Sequence, residues 1–337
     1  MTGVQTCALP ISADTAEFRA HLLEDPLQLR SAGAVVRLPE LAATYRAIAE
    51  AGIDWFYKGE FALKTSAWMN QHGGILDASD FQAYQPRLRD AVRTSYRGHQ
   101  IVGFPPPSSG GVHVAQILQI LESFDLRAMG PASADFIHVV TEAMKLAFAD
   151  RAHWLGDPDF TKVPQGLIAP AYAKQLAARI RMDRASVVRG PGPADVADPT
   201  PFGKHTTHLS AADAEGNWVA LTTTLNTSFG SKVMIPGTGV ILNNQMDDFS
   251  AQAGVTNVFG LVGSDANAIA PGKRPLSSMS PTIVLRDGVP ILTVGAAGGP
   301  TIISQTLLAI LYVIDFGMDP KRALSQPRFH HQWKPDR

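Results

Sequence analysis

Residues 189–204 read RGPGPADVADPTPFGK, a run of Pro, Gly and Asp without an apolar period. Such a run suits neither a helix interior nor a central strand, because Pro lacks an amide donor and Gly loses much backbone entropy on ordering. It reads as an exposed flexible linker, and it separates two patterns. Before it, apolar residues recur mainly at helical spacing. After it, the period is two. Helix-rich and strand-rich stretches segregated in this way predict an α+β fold of stacked sheets flanked by helices.

The punctuation is specific on both sides. Residues 39–51 predict a helix with Pro39 at its first position and Gly52 after its end. Residues 84–104 look strand-like around a turn at Arg97-Gly98. FPPPSSGG, from Phe104, is excluded from helix and central strand and feeds a helix over 111–121. Ser133 caps a long helix that reaches Asp150, and a further helix is predicted over 171–180. After the linker come an opening hairpin, the strand-like KVMIPGTGVILNN, a second hairpin turning at Asp287-Gly288, and a helix over 300–316.

Composition sets outer limits. The 337 residues are 45% hydrophobic and 18% charged, with a net charge of −1, which fits a globular chain with one large core or two domains. Scattered Lys and Arg give no nucleic-acid face and no pull towards an anionic membrane. The apolar run LLAILYVI, from Leu307, is too short to span a bilayer. Cys7 is the one cysteine, so no intrachain disulfide or cysteine zinc cluster is expected. It sits in MTGVQTCALPIS, residues 1–12, which lacks the basic start of a signal peptide and reads as a segment foreign to the chain. That argues against a cysteine nucleophile.

The hairpin KHTTHLSAADAEGNWVALTTTLNTSFG, from Lys204, carries hydroxyls where a core hairpin carries apolar side chains. With Ala214, Glu215 and Gly216 as a three-residue loop, Asp213 faces Asn217, Ser210 faces Ala220, His208 faces Thr222 and Thr206 faces Thr224. Two readings stand. Threonine is a good strand residue, so the ladder is structural. Alternatively, Thr206 becomes a chain terminus whose own α-amine acts as its general base. His205 and His208 lie three apart on a strand and face opposite ways, which speaks against a metal between them. His330-His331 reads as local structure.

TTHLS, TLNTSFG, GVILNNQMDDFS, KRPLSSMSPTIV and GAAGG, in this order, resemble the small subunit of the γ-glutamyltranspeptidase family. GFPPPSSGG and ADRAHWLGDPDF resemble its large subunit. The likeness covers nearly all of residues 13–337. It implies a four-layer αββα sandwich of the N-terminal-nucleophile hydrolase type, incomplete here. Residues 13–205 match the later part of the large subunit and 206–337 the small subunit. It implies a precursor that cuts itself between His205 and Thr206. Thr206 then attacks the γ-amide of glutathione or another γ-glutamyl compound, and water or an amino-acid or peptide acceptor takes the γ-glutamyl group. No cofactor and no metal are implied. The location implied is periplasmic or secreted.

Site residues follow from the same likeness. Thr224 matches the threonine that orients the nucleophile. Gly298 and Gly299 match the oxyanion hole; alone they would read as a turn for close packing. Asp248, with Asn226 and Gln245, matches the group that binds the substrate α-ammonium; alone, NNQMDD is equally a turn or a weak cation site. Ser277 and Ser278 match the serines on the α-carboxylate; alone they are a serine turn before Pro281. PPPSSGG lacks the phosphate-loop lysine and matches a structural loop.

The match has departures. Phe259 stands where some relatives have a lid tyrosine, in a loop over 250–274, which implies a more open site. The family's large-subunit arginine for the α-carboxylate has no matching motif here, and the likeness implies a piece cut at both ends. Two other readings remain at this level. One is a related acylase that hydrolyses the side-chain amide of β-lactams. The other is an uncleaved chain without catalysis.

Overall fold

The computed structural model describes residues 16–25, 28–190 and 206–336. The segment 1–12 with Cys7, most of the predicted linker and His205 lie outside them. The described chain mixes helix and sheet, as the α+β reading expected.

It starts with α1 (Ala16–Leu22) and a ribbon of β1 (Leu23–Asp25) and β2 (Gln28–Leu29). Helices α2 (Pro39–Ala51), α3 (Asp54–Tyr57), α4 (Glu60–Gln71) and α5 (Ala78–Ala83) follow. The hairpin β3 (Val92–Tyr96) and β4 (His99–Gly103) leads into α6 (Gly110–Leu121), α7 (Leu126–Met129), α8 (Ala134–Trp154) and α9 (Pro170–Ala177). β5 (Thr206–Ala212) and β6 (Trp218–Thr224) form the threonine hairpin, and β7 (Met234–Ile235) pairs with β8 (Val240–Ile241). β9 (Thr282–Arg286), β10 (Val289–Val294), α10 (Thr301–Ile314) and α11 (Pro320–Ser325) complete the order.

The chain divides into two compact units, and each draws on segments from both sides of the predicted linker. The first holds residues up to 88 with 224–247. Its α2 begins at Pro39, as predicted, and stops before Gly52, whose φ is 77°. Helices α3 and α5, of four and six residues, are too short for an apolar period, whereas α4 buries Phe61, Ala62, Thr65, Trp68 and Met69 along one stripe; aromatic contacts join the three. The Phe56 and Phe61 rings stack at 4.0 Å, and Phe81 meets Phe61 edge-on at 5.6 Å. Trp68 and Met69 of α4 pack with Val233 and Ile235. The expected strands of KVMIPGTGVILNN shrink to two residues each, because Gly237 and Gly239 turn at positive φ and Thr238 caps the turn through Ile235 O at 2.8 Å.

The second unit holds 89–223 and the chain from 248 onward. Its centre is an antiparallel sheet in the order β10-β9-β4-β3. Ile101 pairs with Thr94 on one side and Val284 on the other, so strands far apart in sequence share one ladder. Both tight turns lie where the sequence put them: Arg97 and Gly98 have φ of 48° and 76°, and Asp287 and Gly288 have 52° and 79°. Helix α6 is buried along its whole length and packs on β3, β4, α8, α9 and α10. Ser133 caps α8, its hydroxyl accepting from Phe136 N at 3.0 Å, and the helix runs four residues past the predicted end. Phe136, Val140, Ala143, Ala147 and Arg151 fall on its buried stripe, three or four apart.

In the threonine hairpin, His208 Nδ1 lies 2.9 Å from Thr222 Oγ1, the register the sequence predicted. Asp213 N donates to Asn217 O, and Gly216 takes φ 88°. The sheltered face holds Thr206, His208, Ala220 and Thr222, whereas Leu209, Val219 and Leu221 point to solvent. The hydroxyl-rich side is therefore the inner side, the reverse of an ordinary half-buried hairpin.

His330 tests the core's response to acid. Its Nδ1 lies 2.9 Å from Ser304 Oγ and its Nε2 3.0 Å from Gln332 Oε1. Burial pushes its pKa down to about 4. An unfolded histidine takes its proton near pH 6.5, so the unfolded chain binds a proton that the folded chain refuses. The stabilisation is complete above that pH and is lost as pH falls towards 4. Buried carboxyls such as Asp150 and Asp315, whose pKa values burial raises, act in the opposite sense, so a difference is the proper measure. The stability advantage of the wild type over His330→Gln should shrink by about 2 kcal/mol between pH 7 and pH 5. An advantage unchanged over that range in urea titrations contradicts this.

Candidate active site

Three candidates lie in the first unit. Thr224 ends β6, and its Oγ1 accepts from Asn226 N at 2.9 Å. Asn226 is buried at φ 81°, and its Nδ2 donates to Asn244 O at 3.2 Å. Gln245 opens a 3-10 turn, Gln245–Asp248, with its N donating to Asn243 Oδ1 at 3.0 Å. Asp247 is held by Asn244 Nδ2 at 2.8 Å, and burial raises its pKa.

The other described candidates lie in the second unit. Asp248 is 7% exposed and Ser278 8%. Asn267 ties their segments together. Its Nδ2 donates to Asp248 O at 2.8 Å, and its Oδ1 accepts from Leu276 N at 3.0 Å. One buried amide thus fixes the acid's backbone to the residue before the serine pair.

The serine pair is itself gripped by PPPSSGG. Ser277 N donates to Pro107 O at 2.9 Å, and Ser109 N and Oγ both donate to Ser277 O at 2.8 Å. Ser108 Oγ donates to Met279 O at 2.6 Å. The glycines after the loop begin α6 with no room to spare. A Cβ on Gly110 would fall on Ser280 Oγ and Met279 O, which makes this loop a template for 277–280. Gly110→Val should lower stability by about 2–3 kcal/mol, read as a fall in Tm. Gly166→Ala, with nothing within 4 Å of the added carbon, is the control and should stay within about 0.5 kcal/mol of wild type.

Arg151 completes this cluster, and sequence reasoning missed it. Its guanidinium is buried, with Nε donating to Ser109 Oγ at 2.9 Å and Nη2 to Ser278 Oγ at 3.3 Å. Burial lowers its pKa to about 10, and the Asp248 carboxylate opposes that fall. It stays charged at neutral pH. A signal was present: a charge on the apolar stripe of α8.

Gly298 and Gly299 precede α10 with φ of 130° and 56°, conformations that glycine adopts freely. Their carbonyls accept from Thr301 N and Ile302 N, which fixes the strand-to-helix corner. Among the described residues, neither donates its own N–H to a protein acceptor. Phe259 is buried on this corner; a Cβ on Gly299 would stand 2.8 Å from its ring. The loop carrying Phe259 is anchored at Arg274, whose N donates to Asp157 Oδ2 at 2.9 Å.

Thr206 begins β5 and is partly buried. His208, on the same face, rests on Gly295, where a Cβ would strike its ring. Ser210 Oγ meets Thr293 Oγ1 at 3.2 Å. Both His208 nitrogens meet hydroxyls, Nε2 lying 3.1 Å from Ser210 Oγ. Among the described residues no group of three or more His, Cys, Asp or Glu could hold a metal. His331 Nε2 lies 3.1 Å from Asp336 Oδ1, and His331 Nδ1 accepts from Trp333 N, which is local structure. No helix among the described residues is long and apolar enough to cross a membrane.

This α+β arrangement is shared with a solved acylase. The crystal structure of cephalosporin acylase from Bacillus halodurans superposes with a TM-score of 0.74 at 29% identity, over 89% of this chain and 52% of that one. The family profile of gamma-glutamyltranspeptidase matches residues 10–337, and the chain belongs to that family. It is 49% identical over 298 residues to the glutathione hydrolase proenzyme of Escherichia coli (strain K12), covering 88% of this chain and 51% of that protein. It is 41% identical over 291 residues to the acylase ACY 1 proenzyme of Pseudomonas sp. (strain SE83), covering 86% and 49%. The chain spans about half the length of these relatives.

Proposed function

We propose that this chain is the catalytic portion of a γ-glutamyl hydrolase and transferase, with Thr206 as nucleophile after cleavage of the His205–Thr206 bond. The observation that carries the reading is the buried cluster in which Arg151 donates to Ser278 and is favoured in its charged form by Asp248, while Asn267 ties the Asp248 carbonyl to Leu276 N. It sets a carboxylate and a donor hydroxyl on one scaffold, which suits the ammonium and carboxylate of an α-amino acid.

The spacing along β5 supports the nucleophile. Ser210 lies by Thr293 and His208 by Gly295. If that spacing continued two residues further, Thr206 would stand level with Ala297, one residue before Gly298. In the reaction, the free α-amine of Thr206 takes the hydroxyl proton as Oγ attacks the γ-carbonyl carbon. Unoccupied N–H groups at Gly298 and Gly299 suit the oxyanion that forms. The C–N bond then breaks, the leaving amine takes the proton, and a γ-glutamyl ester remains. Water or an acceptor amine attacks that ester with the same α-amine as base. Thr224, Asn226 and Gln245 carry the roles the resemblance gives them. Glutathione is the substrate this reading names, an amino acid or peptide the acceptor, and the periplasm or cell exterior the location.

Likeness to the acylases favours a second reading, a hydrolase of glutaryl-type amides. Release of p-nitroaniline from γ-glutamyl and glutaryl anilides separates the two. The γ-glutamyl anilide should react about 100-fold faster in kcat/KM, because the glutaryl compound leaves Asp248 without its ammonium. A preference for the glutaryl anilide overturns the γ-glutamyl reading.

A further inference from the structure

The hydrogen bonds around Arg151 fix the direction of two hydroxyls. A guanidinium only donates. Ser109 Oγ accepts from Arg151 Nε and therefore gives its proton to Ser277 O, at 2.8 Å. Ser278 Oγ accepts from Arg151 Nη2, so its own proton must point away from the guanidinium. A serine hydroxyl can ordinarily donate or accept. This one is held as a donor.

The charges have the same order. Arg151 lies behind the serine pair, and Asp248 is the carboxylate that favours its charged form. Ser109 is fully buried, and Ser278 and Asp248 nearly so, so little water screens the arrangement. Its far side is neutral: His113 is fully buried with Nδ1 2.9 Å from Gln116 Oε1, and burial together with the Arg151 charge keeps it unprotonated. The positive charge is thus answered only from the side of Asp248 and the serines among these groups.

We propose that Arg151 is a positioning and specificity residue: it holds Ser278 as a hydroxyl donor and makes the serine side of the site select an α-carboxylate. The inference rests on the γ-glutamyl reading and deepens it. An amino-acid end then meets two complementary poles, its ammonium at Asp248 and its carboxylate at the Ser278 hydroxyl backed by Arg151. A ligand with the ammonium alone satisfies one pole and leaves the other facing nothing.

Calorimetric binding of L-glutamate and γ-aminobutyrate tests this with the full chain. The second ligand keeps the ammonium and the γ-carboxylate but lacks the α-carboxylate. Arg151→Gln removes the charge, and Arg151→Lys keeps the charge without the two-point fork. Arg151→Gln should weaken L-glutamate about 10- to 100-fold and leave γ-aminobutyrate within about twofold. Arg151→Lys should fall between, and it carries the test if the glutamine variant does not fold. Equal weakening of both ligands, or none, in folded variants overturns the inference and assigns Arg151 to packing alone. A folded wild type that binds no L-glutamate contradicts the γ-glutamyl reading itself.

Discussion

Thr206→Ala should leave the chain in one piece and reduce γ-glutamyl anilide hydrolysis on the order of 10⁴-fold or more. Both effects have one cause. In the proposed function one hydroxyl both opens the His205–Thr206 bond and later attacks substrate, and the next hydroxyl along the same face of β5 is Ser210, beyond His208 and already against Thr293. Alanine keeps the strand and leaves the outward side chains of Leu209 and Leu221 unchanged, so the fold should survive. Thr206→Ser, which keeps the hydroxyl, should retain cleavage and a measurable rate. Intact mass and anilide release report the two effects. An alanine variant that still cleaves, or that hydrolyses within tenfold of wild type, contradicts the assignment.

Asp248→Asn should be nearly as severe, and on two scales. The carboxylate is the proposed seat of the substrate ammonium, so L-glutamate binding should weaken about 100-fold or more. It also answers the buried charge of Arg151. Removing one partner of a buried pair leaves the other uncompensated, which costs about 3 kcal/mol. Replacing both partners removes that imbalance, so Asp248→Asn with Arg151→Gln should recover much of the lost stability without recovering binding. Urea denaturation of the single and double variants checks this. Equal additive losses in the double variant contradict a coupled pair.

Short-range chemistry was legible where one residue type forces one geometry. Arg97-Gly98 and Asp287-Gly288 turn at positive φ, Ser133 caps α8, and the His208–Thr222 contact follows from counting outward from Gly216. The helices of Phe56 and Phe81 were not legible, because at four and six residues they are too short to show an apolar period and ring contacts with Phe61 hold them. The pairing of β4 with β9 joins residues about 180 apart, and nothing local announces it. The strand-like look of 84–104 narrowed to Val92–Gly103, and Pro86, which has no amide hydrogen to give a ladder, lies outside the paired stretch.

The site divides in the same way. Asp248, Ser277, Ser278 and the glycine pair stood out through the family likeness. Arg151 and Ser109 sat inside motifs already quoted, yet gained no role, because a charged residue near a helix end reads as solvated. Its place on the stripe of Phe136, Val140, Ala143 and Ala147 is the feature that marks it as buried. Asn267 had no mark of any kind; its work is to join two backbones, which only the folded chain reveals.

The most direct test of the central claim is to quench the wild-type chain in acid during turnover of a γ-glutamyl anilide and to map the adduct by peptide mass spectrometry. The account predicts a peptide whose first residue is Thr206, heavier by one glutamyl group on that residue. A folded chain that yields no peptide beginning at Thr206, or that carries the glutamyl group on another residue, contradicts it.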